Sequence, residues 1–166
     1  MIVWKKREIS TIVWTSILAN AMSFFGFVYE EIDFVPNYFT SSPAEAKMSW
    51  SEFHSLTTPA YYHILPSIIA IMCVVALWFY KRNLTDNQIR KLKIASLSTL
   101  LVNILTGIAV TQINNKLYFG EPIGDSETIK TFATIWGILN FLRLSFVAIS
   151  TMAFLKFFSI NIETVE

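Results

Sequence analysis

Four stretches of this chain, residues 9–29, 53–80, 94–115 and 131–155, carry no ionised side chain except Arg143 in the last. Each can supply the roughly 20 apolar residues that a helix needs to cross a bilayer. A guanidinium in hydrocarbon costs at least ~2.5 to 3.5 kcal/mol on insertion scales. Arg143 therefore needs a polar partner inside the protein, and its surroundings are the first place to look for function.

At 54% hydrophobic and 15% charged residues, with a mean hydropathy of +0.50, the 166-residue chain is too apolar for an ordinary soluble domain. The expectation is an all-α four-helix transmembrane bundle, a single integral domain over residues 1–166 with spans at about 9–29, 59–80, 94–114 and 131–157. The net charge of +1 carries no nucleic-acid signature. Cys73 is the only cysteine, which excludes a disulfide framework or a Cys-x-x-Cys redox pair within one chain. His54, His63 and Glu31 lack close metal-ligand spacing, so no metal or other cofactor is expected.

Charge is sorted along the chain. Lys5, Lys6 and Arg7 precede the first span; Lys81, Arg82, Arg90, Lys91 and Lys93 fill the link between the second and third; Lys156 closes the fourth. The other two connections hold Lys47, Lys116 and Lys130 against eight acids between positions 30 and 127. The positive-inside rule then puts both termini in the cytoplasm of a cell (inner) membrane protein. The first span resembles a secretory signal around Leu18, Ala19, Asn20 and Ala21, but its apolar run continues through Phe24, Phe25, Phe27 and Val28, as in a retained helix.

In the first external connection Pro36, Pro43 and the Ser41–Ser42 pair read as turns. Ser49, Trp50, Ser51 and Glu52 have capping-box spacing, which predicts a short interfacial helix to about Thr57, with Trp50, Phe53 and Leu56 on one face. Pro59 can begin the second span, Pro66 can kink it, and Asp125 or Ser126 can cap the fourth helix.

Helical spacing gathers polar residues into stripes. Trp136, Asn140 and Arg143 follow i, i+4, i+7 on the fourth span; Asn103, Gly107, Val110 and Asn114 align on the third; Asn20, Phe24, Phe27 and Glu31 align on the first. These stripes are expected to meet, because unpaired polar groups in lipid are costly, and to enclose a pocket opening toward the outer leaflet. Asn20 and Asn103 read as interhelical hydrogen-bonding residues. Glu31 is the first choice of counter-ion for Arg143 and Glu30 the second. His63, beside Pro66, is a candidate general base, and Arg143 a candidate catalytic residue.

Residues 106–117, TGIAVTQINNKL, and 136–143, WGILNFLR, resemble two signatures of the anthrone oxygenase-like family of four-helix membrane proteins, DUF1772. Trp136, Asn140 and Arg143 match the second signature; Asn114 and Asn115 are both candidates for the asparagine of the first. The first half of the chain matches only by topology. The resemblance implies cofactor-independent oxidation of a hydrophobic aromatic of the anthrone or quinone type, with Asn114, Trp136 and Asn140 as substrate-binding candidates; Glu31, at the mouth of the expected pocket, joins them from the stripe reading alone. It suggests His63 as base, with Arg143 and Asn114 steadying an oxyanion. The competing expectation is a binding or accessory subunit of a membrane complex, or a homo-oligomer, with lipids as its other partners.

Overall fold

The computed structural model describes residues 2–39, 42–53, 60–119 and 125–158, and these are helical almost throughout. Five α-helices follow in order: α1 (Ile2–Tyr29), α2 (Pro43–Phe53), α3 (Ala60–Phe79), α4 (Asp86–Ile108) and α5 (Ser126–Phe158). The stretches Lys6–Phe39, Asp86–Asn114 and Ser126–Phe157 are long and apolar enough to cross a membrane, and Ile64–Phe79 is a shorter apolar helix. Large side chains stand exposed on their outer faces, among them Phe25, Phe79 and Phe141 at 70%, 84% and 67%. Apolar surface on that scale belongs against lipid, and the chain is a helical membrane protein.

The four long helices close a ring in which α1 packs on α3 and α5, and α4 packs on α3 and α5. What packs is a seven-residue repeat. On α5 the buried positions, apart from Ala153, are Ile129, Ala133, Trp136, Asn140, Arg143, Val147, Ser150, Phe154 and Phe157. On α1 and its continuation they include Ile9, Val13, Ser16, Asn20, Ser23, Phe27 and Glu30. Alternating steps of four and three keep one seam facing the neighbour, the pattern that accompanies left-handed winding. Small polar residues mid-seam let helices approach and bond to one another.

Several boundaries differ from expectation for local reasons. α4 starts well before residue 94, because Thr85 and Gln88 form a capping box, with Gln88 N donating to Thr85 Oγ1 at 3.3 Å and Thr85 N donating to Gln88 Oε1 at 3.0 Å. The basic link thereby shrinks to a single 3-10 turn, Lys81–Asn83. α5 begins at Ser126, where Asp125 Oδ1 accepts from Thr128 N at 2.7 Å and caps the helix as its position suggested. Beyond Tyr29 the chain stays helical through a π segment, Glu30–Phe34, and a 3-10 segment, Val35–Phe39. Pro36 lies inside this continuous helical run, where it has no N–H to bond back, and the change from π to 3-10 winding falls beside it. α2 begins at Pro43, so Ser49 and Glu52 lie inside it and form no capping box. Residues 54–59, with Leu56, Thr57, Pro59 and His54, lie outside the described residues.

Candidate functional site

At the end of the bundle opposite the basic residues, both helices that flank α5 leave α geometry. α1 passes into the π segment Glu30–Phe34, and α4 into an eleven-residue one, Ala109–Phe119. π turns are rare and concentrate at functional sites. Here the two segments frame one cluster of charge, amide and aromatic side chains.

Its centre is Arg143, only 2% exposed. The Arg143 Nη2 lies 3.7 Å from Glu30 Oε2, also buried, and the guanidinium carbon is 4.5 Å from the Phe27 ring centre and 5.4 Å from that of Trp136. Two aromatic faces and a carboxylate thus replace the water that this cation gives up. Glu30, rather than Glu31, is the ion-pair partner. The seven-residue seam explains the change: a step of three from Phe27 leads to Glu30, whereas a step of four leads to Glu31. Glu31 lies beside the pair on α5, its carboxylate oxygens 3.8 and 3.9 Å from where a Cβ on Gly137 would stand.

The amides around the pair join three helices. Asn140 Nδ2 donates to the Phe27 carbonyl at 2.8 Å, just before the π segment. Trp136 Nε1 donates to Asn114 Oδ1 at 2.9 Å, tying α5 to the π continuation of α4. Asn140 Oδ1 and Thr106 Oγ1 are buried with no hydrogen-bond partner among the described residues. Trp136, Asn140 and Arg143 therefore share one inward face, as their spacing predicts. The stripe read on α4 does not: its buried line is Val102, Ala109, Ile113 and Leu117, while Gly107 and Val110 are exposed. The seam again sets the register, one position away from the asparagines. His63 lies in α3, and its side chain is outside the described residues.

One turn further out, α2 folds back over the cluster. Lys47 is buried and its Nζ donates at 2.9 Å to the Lys116 carbonyl, near the end of the long π segment. Burial pushes its pKa down from the usual 10.5. On the adjoining face of α2, Ala46, Ser49 and Trp50 meet Tyr29, Asp33, Asn37 and Tyr38 across a cavity of about 600 Å³. That volume falls within the usual range for small-molecule pockets. Arg143 does not line it. The cavity lies one turn outward of the ion pair and is lined by none of Glu31, Asn114, Trp136, Asn140 and Arg143, the residues expected to enclose a pocket. Tyr29, Asp33 and Asn37, spaced i, i+4, i+8, were the sequence signal for that wall, hidden because the segment reads as a turn-rich loop.

A second, much smaller space of about 10 Å³ lies mid-bundle among Asn20, Ser23, Ser67, Thr99, Asn103 and Ser150. It has the size of one water molecule. Asn20 Nδ2 donates to Ser150 Oγ at 3.1 Å, an interhelical bond as expected, and Thr99 Oγ1 lies 3.3 Å from the same hydroxyl. Asn103 instead donates within its own helix, to the Thr99 carbonyl at 2.8 Å. Among the described residues no cluster of three or more His, Cys, Asp or Glu could hold a metal ion. Compared with known protein families, curated proteins and solved structures, the chain matches none.

Proposed function

We propose that this chain is a multi-pass protein of the cell (inner) membrane, with four crossings and both termini in the cytoplasm, that binds an amphipathic aromatic compound at its outer boundary. The observation that carries this reading is the cavity of about 600 Å³ walled by Tyr29, Tyr38 and Trp50, with polar groups from Asp33, Asn37 and Ser49. Such a mixture suits a ligand with a flat apolar body and a polar edge. The Arg143–Glu30 pair serves the site as a fastener, holding α5 to α1 where α1 changes its winding and the cavity begins. The test is quenching of tryptophan fluorescence by a naphthoquinone, with the purified protein in neutral micelles. Saturable quenching that Trp50→Leu weakens supports the reading. Quenching that rises linearly, as in protein-free micelles with free tryptophan, refutes it.

A second reading, oxidation of an aromatic compound, draws support from Trp136, which bonds Asn114 and lies against Arg143 and so joins the two segments that carry the family resemblance. An anthrone and O2 would give an anthraquinone and water, with His63 as the assigned base; Arg143 and Asn114, assigned to the developing oxyanion, lie outside the cavity lining, so this reading requires the compound to reach one turn deeper than the cavity. Incubation with a hydroxyanthrone under air tests it. Anthraquinone formation above the uncatalysed rate, lost in Asn114→Ala, supports oxidation; formation at the uncatalysed rate leaves a binding protein.

A further inference from the structure

We propose that the cavity at the acidic end selects compounds bearing a quaternary or protonated amine, with the ammonium group resting between the Asp33 carboxylate and the ring faces of Tyr29 and Trp50. The inference rests on the binding function proposed for this cavity and specifies the charge of its ligand.

Charge is the first argument. Asp33 is the one ionisable carboxylate among the residues lining the cavity, and it has no ion-pair partner among the described residues. The cations nearby are engaged elsewhere: Arg143 with Glu30, and Lys47 with the Lys116 carbonyl. Glu30, Glu31 and Asp33 place three carboxylates within one turn, against the Arg143 guanidinium and the Lys47 ammonium, whose carbonyl acceptor leaves its charge in place, so acid remains in excess. An anionic guest would enter an unfavourable field there, and a cationic one would relieve it.

Ring faces are the second. Aromatic π-systems attract a cation that comes within ~6 Å of the ring centre, and quaternary ammonium groups are recognised in this way wherever several rings converge beside an acid. Tyr29, Tyr38 and Trp50 converge on this cavity from three helical segments. Among the described residues the same interaction already serves three of the protein's own cations: Arg143 over Phe27 and Trp136, Lys116 over Phe132 at 4.8 Å and Lys81 over Trp78 at 5.7 Å.

Size and position are the third. A space of about 600 Å³ holds far more than an ammonium group, so the guest has an apolar body. Ile32 and Phe39, 72% and 49% exposed on the same helical stretch, supply the apolar surface alongside.

Isothermal titration of the full chain in neutral maltoside micelles, corrected for protein-free micelles, tests the assignment with two probes of one shape. These are benzyltrimethylammonium and its carbon isostere, neopentylbenzene. The cation is expected to bind about fivefold more tightly or better, the effect of one partly screened charge contact. Asp33→Asn should remove that preference, and Asp33→Glu, which keeps the charge, should retain it. Equal affinities for the two probes, or a preference untouched by Asp33→Asn, overturn the charge assignment. If Trp50→Leu then weakens both probes alike, the cavity remains a binding site for neutral guests. Binding of neither probe overturns both the charge assignment and the binding function it rests on.

Discussion

The two ends of the bundle are built from different chemistry on the same seven-residue seam. At the basic end Ile9, Val13, Ile17, Val74, Leu77, Leu92, Phe154 and Phe157 close into an aliphatic and aromatic core with regular α-helices around it. At the acidic end the same seam positions are Trp136, Asn140, Arg143, Phe27 and Glu30, and the helices around them widen into π turns. Apolar side chains tolerate small shifts in packing, because dispersion is not directional. A buried ion pair with its amides does not, since each member must meet a particular atom. One end is a plain clamp, and the other is held to a single geometry in which a cavity can form.

The contrast breaks most sharply at Arg143. Arg143→Leu strands Glu30 in the interior and should cost about 3–5 kcal/mol, whereas the double replacement with Glu30→Leu should recover most of that loss. Denaturation by titrated dodecyl sulfate in mixed micelles reads both, and a double variant no more stable than the single one would contradict the pairing. At the basic end Leu77→Ala should cost about 2 kcal/mol, the low side of its class, because hydrocarbon solvent leaves mainly the packing contribution. Its expected signature is also different: lower stability with unchanged ligand affinity, whereas a change in affinity would mean that the two ends are coupled. The smallest effect concerns Lys47. Its lowered pKa means that the unfolded chain binds the proton more tightly, so stability should rise with pH from the folded-state pKa up to about 10.5 and level off above it. Lys47→Met should flatten that rise, and a wild-type stability that falls over this window would show Lys47 to be favoured in its charged form.

Much of this is readable from sequence, and two of the failures, the counter-ion and the α4 stripe, share a cause. The apolar stretches, the inward face of Trp136, Asn140 and Arg143, the Asn20 bond and the Asp125 cap all follow from period and residue type. What misled was the choice between steps of three and four. Counted from Asn20, a step of four leads to Phe24 and then to Glu31; the packed seam runs through Ser23 to Phe27 and Glu30. A serine is a weak marker of burial, so Ser16 and Ser23 concealed the repeat. The same ambiguity moved the α4 stripe by one position. The cavity wall was concealed differently, because Pro36 and Pro43 read as turns although Pro43 opens a helix, where proline is tolerated, and Pro36 lies where a continuous helical run changes its winding. Nothing in the local pattern distinguishes a π continuation of α4 from an ordinary helix end.

The partners of the buried ion pair stand 113 residues apart, one at the end of the first long helix and the other within the last. During synthesis α5 emerges after α1, and its guanidinium then finds an acid already waiting. A chain lacking its first helix would offer the bilayer a cation with no carboxylate to receive it, and α5 would be the segment to fail. Two segments far apart in sequence are thus committed to one another, and the pair closes only once both are in place.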